Sequence, residues 1–275
     1  MKMTDLPRFA ALQWNGLADW PQNRAVIEQG LSRLAAQGAT HVLLPENLAS
    51  MPGRLSDLKI LAEDDDGPIH RFLADQAQHH RIWLVAGSIP WRPPSAAPDA
   101  RLRARSVVCS PEGRIIGHYD KRFLFDVSVL GGRDYRESEV FEPGSEAVVI
   151  DAGGLRLGLS ICFDLRFPEH FRALVRNGAQ VLLVPAAFTA TTGEAHWRPL
   201  LQARAIENQC YVVAAGMVGT HADGSQTWGH SLIADPWGRV LDEAGTADPG
   251  SVMAGIDLEA LVRLRARFPV LQSLR

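Results

Sequence analysis

Three reactive side chains close strand-like runs in this chain: "HVLLPE" ends on Glu46, "IIGHYDK" on Lys121 and "GLSIC" on Cys162. A carboxylate, an amine and a thiol suffice for acyl transfer. The thiol attacks, the carboxylate takes and returns a proton, and the ammonium stabilises the oxyanion. In sheets covered by helices, such sites are commonly built at the carboxyl ends of strands. Cys162 is the most telling of the three. The apolar run 157–161 delivers the thiol and breaks at once into "FDLRFPE", whereas an ordinary buried cysteine has apolar neighbours on both sides. Pro168 suits a first helical turn, so N–H groups of a helix start, together with a lysine, predict a lowered thiol pKa. Cys109 in "SVVCS" and Cys210 in "NQCYVVAA" read as structural. Taken singly, Glu46 and Lys121 read as solvated surface, and spacing does not bring three distant residues together.

The elements that must position them alternate between strand and helix. "RFAALQW" (8–14) reads as a strand, and 23–37 as a helix with Ile27, Leu31 and Leu34 on one face, stopped by Gly38. Val42, Leu43 and Leu44 predict a strand over 41–46 that is buried on both faces. A helix over 69–80, a strand over 81–89 and the hairpin "ARSVVCSPEGRIIGHYDK" follow. A second hairpin, "EAVVIDAGGLRLGLSIC", leads to a helix over 168–176, a strand over 180–188 and a helix through "LLQARAIENQ". "CYVVAAGMV", the hairpin "GHSLIADPWGRVLDE", a strand near 251–256 and a helix from Asp257 come last. About a dozen strands with helical crossovers predict an α/β protein with two stacked mixed sheets covered by helices. No fixed-period repeat or low-complexity tract divides the chain, so one domain over 1–275 is expected.

With 275 residues, 46% hydrophobic and 21% charged, the chain can bury a large core. A formal net charge of -3 and the absence of a basic stripe argue against nucleic-acid or membrane-surface binding. No apolar run approaches bilayer-crossing length, and the N-terminal residues lack a signal peptide's apolar core. Three cysteines make no disulfide framework, so a reduced, cytoplasmic protein is expected. His79 and His80 are adjacent and share no helix face, and neither HExxH nor CxxC occurs, so no metal is expected. No glycine-rich phosphate loop is present. A papain-like Cys/His pair has nine histidines to draw on but no local signature.

"LLPEN", "GHYDKRFLFDV" and "ICFDLRFPE", in that order, resemble the three signature blocks of the nitrilase superfamily of carbon–nitrogen hydrolases, and residues 188–241 resemble its Nit branch. The resemblance runs over nearly the whole chain. It implies a four-layer α-β-β-α sandwich, a homodimer or higher homo-oligomer, and a thiol amidase needing no metal or organic cofactor. Carried over by position, it implies Glu46 as general base, Lys121 as oxyanion-stabilising lysine and Cys162 as nucleophile. Glu137, in "RESEVFEPG", matches a glutamate that orients the lysine and substrate, and the Phe163 N–H a second oxyanion donor. The Nit-branch likeness implies a small-molecule amide bearing carboxylates: deaminated glutathione first, an α-keto ω-amide such as α-ketoglutaramate second. Acyl transfer to a thiol would use the same thioester. A binding or scaffold protein could keep the fold without turnover, but it has no need of all four residues.

Four positions depart from the family pattern. Asp120 and Phe123 stand where Arg and His are common, Phe163 replaces a common Tyr, and Pro199 interrupts the block after "AHW". Asp120 is expected to change the charge of the substrate entrance, and Pro199 to lie in a helix's first turn, where proline is tolerated. Arg166, four residues past the thiol, either clamps a substrate carboxylate through its planar fork or pairs with Asp164 or Glu169. Arg122, Arg133 and Arg172 are next in line for that clamp. Phe188 closes the strand "VLLVPAAF" and Thr189 and His196 follow it, at an edge whose loops line sites; His196 and Trp197 either line the pocket or pack a helix entry.

Overall fold

The computed structural model describes residues 6–128 and 134–273. Two sheets lie at its centre. The first runs in the order Gly250–Gly255, Arg8–Gln13, His41–Leu43, Trp83–Val85, Arg103–Cys109, and both Ile89–Trp91 and Ile115–Asp120 pair with Arg103–Cys109. The second runs Val240–Glu243, Leu232–Ala234, Tyr211–Gly216, Val181–Ala186, Leu155–Leu159, Val149–Ala152. Central strands are parallel and the flanking ones antiparallel, as helical crossovers interleaved with hairpins require.

Strand alternation sorts side chains between layers. Phe9, Ala11, Leu43 and Val85 join Leu183 and Val213 of the second sheet in one apolar cluster. Their neighbours Ala10, Leu12, Val42 and Leu84 pack instead with Ile27, Leu31 and Leu34 of helix α1 (Trp20–Ala36) and Phe72 and Leu73 of α2 (Pro68–His80). Phe171 and Leu174 of α3 (Pro168–Arg176) and Trp197 and Leu201 of α4 (Ala190–Asn208) cover the second sheet. The result is the four-layer α-β-β-α sandwich, in one domain. A last helix, α5 (Leu258–Arg267), is capped by Asp257, whose Oδ1 accepts from the Ala260 N–H at 2.8 Å.

Four local expectations need correction. Helix α1 begins at Trp20, ahead of 23, because Pro21 with its fixed φ suits the first turn. The strand expected over 41–46 ends at Leu43, and the chain turns at Glu46 with Asn47 at φ 55. The strand expected over 81–89 is broken into Trp83–Val85 and Ile89–Trp91. Between them a Cβ on Gly87 would overlap the Pro45 carbonyl, so glycine lets this segment pass beneath the turn that carries Glu46. Pro199 lies in the interior of α4, since that helix already starts at Ala190. Two short antiparallel strand pairs, Asp126–Ser128 with Asp134–Arg136 and Val218–Thr220 with Gln226–Trp228, are absent from the sequence reading.

Candidate active site

Glu46, Lys121, Glu137 and Cys162 converge on one cavity. Lys121 is its hub: Nζ donates to Glu46 Oε1 at 2.8 Å and to the two Glu137 oxygens at 2.9 and 2.8 Å. It directly follows the strand Ile115–Asp120, so its side chain and that of Asp120 leave on opposite faces. Asp120 accordingly meets Arg105, at 2.8 and 3.0 Å, and does not line the cavity. The expected effect of Asp120 on entrance charge is overturned, because Arg105 neutralises it elsewhere. Glu46 Oε2 accepts the Ala187 N–H at 2.7 Å, and Glu137 Oε2 also accepts the Phe125 N–H at 2.6 Å. The turn bearing Glu46 is pinned in turn by the Asn47 N–H donating to Ser88 Oγ at 2.9 Å.

Cys162 opens a 3-10 turn, Cys162–Arg166, with φ 48. A non-glycine residue in this left-handed region is strained and persists only when its surroundings over-determine it. Asp164, fully buried, provides that hold. Its Oδ2 accepts from Tyr119 Oη at 2.6 Å and the Ile161 N–H at 2.7 Å, and its Oδ1 from the Phe123 N–H at 3.0 Å. Ile161 precedes the thiol, while Tyr119 and Phe123 bracket Lys121, so one carboxylate ties the nucleophile turn to the lysine segment. Asp164 is a residue that sequence reasoning missed as a site residue. Its place near the start of a turn, where short acids cap free N–H groups, is the signal that could have marked it. The Phe163 N–H also belongs to the first turn, whose leading donors have no intrahelical acceptor.

The charge balance is set by burial. Burial pushes the Cys162 thiol well above its usual pKa, and Glu46 adds to the rise while Lys121 opposes it. The lowered thiol pKa expected from the sequence is thus overturned: beside two carboxylates and one ammonium, a thiolate would be a third anion. The rise keeps the resting thiol protonated beside Glu46. Burial alone would depress Lys121, but Glu137 and Glu46 outweigh it and hold the ammonium charged. The Glu137 carboxyl is raised by burial against the pull of Lys121. Burial also lifts Asp164 to about 6, despite the bonds from Tyr119 and Ile161. In the core, burial pushes Cys109 to about 12 and Cys210 to about 11, as fits structural thiols.

The cavity measures about 400 Å³. Phe163, Arg166, Phe188 and Thr189 line it. His196 does not: it is exposed on α4, and its Nδ1 lies 3.2 Å from Arg166 Nη1. Trp197 is wholly buried and donates Nε1–H to the His230 carbonyl at 2.8 Å, which is packing. The Arg166 guanidinium stands over the rings of Phe188, at 5.0 Å, and Phe163, at 5.8 Å. Among the described residues it has no carboxylate partner; Asp164 is engaged by Tyr119 and Glu169 is exposed. Arg122, which contacts His170 at 3.2 Å, and Arg172 do not line the cavity, and Arg133 lies outside the described residues. Arg54 and Arg136 do line it, although no sequence pattern marks them. Among the described residues no group of three or more His, Cys, Asp or Glu could hold a metal ion. The arrangement offers a nucleophile, a proton acceptor, a fixed cation and a half-buried guanidinium facing one space.

Comparison with known proteins points the same way. The family described as carbon-nitrogen hydrolase matches residues 8–266. A deaminated glutathione amidase from Synechocystis sp. (strain PCC 6803 / GT-S) is 40% identical over 266 residues, covering 96% of each chain. Nit3 of Saccharomyces cerevisiae, a member of branch 10 of the nitrilase superfamily, superposes with a TM-score of 0.87 at 28% identity, over 98% of this chain and 96% of that one. An amidase mutant from Nesterenkonia sp. AN1, in which acrylamide has undergone Michael addition at the active-site cysteine, gives a TM-score of 0.78 at 27% identity, covering 97% of this chain and 99% of that one.

Proposed function

The chain belongs to the carbon–nitrogen hydrolase family, and from that premise we propose that it hydrolyses deaminated glutathione through a thioester on Cys162. The observation that carries the reading is Lys121 bonded to both Glu46 and Glu137 beside a thiol held in a left-handed turn. Cys162 Sγ attacks the amide carbonyl as Glu46 takes its proton. Because the thiol is neutral at rest, proton transfer and attack go together, without a stored thiolate. Lys121 Nζ and the Phe163 N–H receive the developing oxyanion. The C–N bond breaks as Glu46 returns the proton to the departing amine, which leaves the thioester. Glu46 next takes a proton from water, whose oxygen attacks the thioester; the C–S bond breaks and the proton restores the thiol. Glu137 keeps Lys121 charged and aimed.

The Arg166 fork, without a carboxylate partner among the described residues and backed by two rings, suits the α-keto carboxylate on the acyl half of such a substrate. α-Ketoglutaramate carries the same acyl half and forms the same thioester, so it is the second substrate of this reading. Transfer of the acyl group to another thiol would share that intermediate too. The reading extends to a cytoplasmic homodimer. All three cysteines are free, and among the described residues no helix is long and apolar enough to cross a membrane. Ile206, Trp237 and Phe268 are 53%, 59% and 54% exposed, an apolar surface suited to a second copy.

The test is product release from a panel of small amides with and without carboxylates. Deaminated glutathione should give the highest kcat/KM, and Cys162→Ala should remove all turnover. A wild-type enzyme that cleaves only uncharged amides would overturn the substrate assignment.

A further inference from the structure

We propose that Arg54 forms a second carboxylate subsite, on the leaving-group side of the scissile amide, and selects substrates whose amine product ends in a carboxylate. The inference rests on the amidase reading above. Glu46 and Glu137 flank the Lys121 ammonium beside the thiol, and Asp134, Glu139 and Asp223 also line the cavity, so a substrate carboxylate is repelled by this acidic wall and needs a cation to hold it. Among the described residues three arginines line the cavity. Arg166 belongs to the nucleophile's own turn. Arg136 is occupied: Nη2 stands 3.5 Å from Asp134, and Nη1 donates to the Tyr135 carbonyl at 2.9 Å. Arg54 is exposed and forms no ion pair among the described residues, in extended backbone just ahead of the 3-10 helix Leu55–Ile60. Met51, Pro52 and Leu55 of the same segment add apolar wall.

The chemistry of the two candidate substrates assigns the cations to sides. Both carry the same α-keto acid as acyl half. They differ in what leaves: ammonia from α-ketoglutaramate, a dipeptide with a terminal carboxylate from deaminated glutathione. Glu46 returns the proton to that departing amine, and the chain runs directly from Glu46 through Met51 and Pro52 to Arg54. A cation on this segment meets the leaving group, whereas Arg166, next to the thiol that becomes acylated, meets the shared half. Because the thioester is common, Arg54 acts on acylation by one substrate and not on deacylation.

The experiment measures kcat/KM of Arg54→Gln on deaminated glutathione and on α-ketoglutaramate. The ratio of the first to the second should fall by about tenfold or more, the loss of one charge-assisted contact. Arg54→Lys should recover part of it, since the charge returns without the fork. Arg166→Lys should depress both substrates and hold the ratio, and Arg136→Gln should hold the ratio. An unchanged ratio in Arg54→Gln, or a loss that follows Arg136→Gln instead, overturns the subsite. A wild type that prefers deaminated glutathione while Arg54→Gln leaves the ratio unmoved removes the subsite alone. A wild type inert toward deaminated glutathione removes the substrate assignment, and the subsite with it.

Discussion

The proton on Cys162 governs what each side chain around it can do. A thiol raised by burial and by Glu46 needs that carboxylate at the moment of attack. Glu46→Gln keeps the shape but cannot take the proton, so kcat should fall by about 10² or more. Lys121→Arg should also fail, because a planar fork cannot reproduce one ammonium meeting three carboxylate oxygens; an active Lys121→Arg enzyme would mean that only long-range charge matters. Asp164 supplies a pH signature. Its carboxyl titrates at about 6 in the fold, above the ordinary value of about 3.9. Folding therefore favours its protonated form, and its contribution to stability is full below about pH 3.9 and is lost as pH rises through about 6. Activity has the opposite sign, since only the ionised group accepts all three donors, so kcat should fall as pH drops through about 6. Asp164→Asn should flatten that acid limb and be slow even at about pH 8; an unaltered profile would separate Asp164 from catalysis. The reactive residue types were legible in the sequence because each closes a strand-like run. The thiol's acidity and the hold of Asp164 were not, since both depend on burial and on partners such as Tyr119, 45 positions away.

Elements bring these groups together through where strands stop. Leu155–Leu159 ends just short of Cys162 and Ile115–Asp120 just short of Lys121, and both were readable from period-2 alternation and turn residues. His41–Leu43 was read too long, because Leu44 and Pro45 continue the apolar run while the backbone already leaves the sheet. Strands of three residues, such as Val218–Thr220, carry too little alternation to announce themselves. Pro199 offers an element-scale test. Inside α4 it lacks the N–H that would bond the Ala195 carbonyl, and it is exposed. Pro199→Ala should raise the melting temperature by about 2–4 °C, roughly 1 kcal/mol for a chain of this size. A lowered melting temperature would show that α4 depends on the bend.

At the scale of the molecule, the two sheets cover each other's inner faces within one chain, so the proposed homodimer would use another surface. The exposed Trp237 and Phe268 rings, 6.0 Å apart, are the candidate, with Ile206 beside the same turn. Sedimentation at micromolar concentration should give a dimer, and Trp237→Glu should shift it toward monomer; a wild-type monomer would count against the assembly. Alternation of strands and helices made α/β with two sheets legible, but the order of the four layers came only through family resemblance. Layer order depends on which strand faces pair across the core, and that pairing is non-local.

The central claim is that substrate becomes covalently attached to Cys162, and intact-mass spectrometry of enzyme quenched during turnover tests it most directly. Deaminated glutathione and α-ketoglutaramate should leave the same acyl mass, mapped to the peptide that carries Cys162 and absent in Cys162→Ala. Turnover without any such adduct, together with a Cys162→Ala enzyme that keeps about a tenth or more of wild-type rate, would contradict the thioester mechanism.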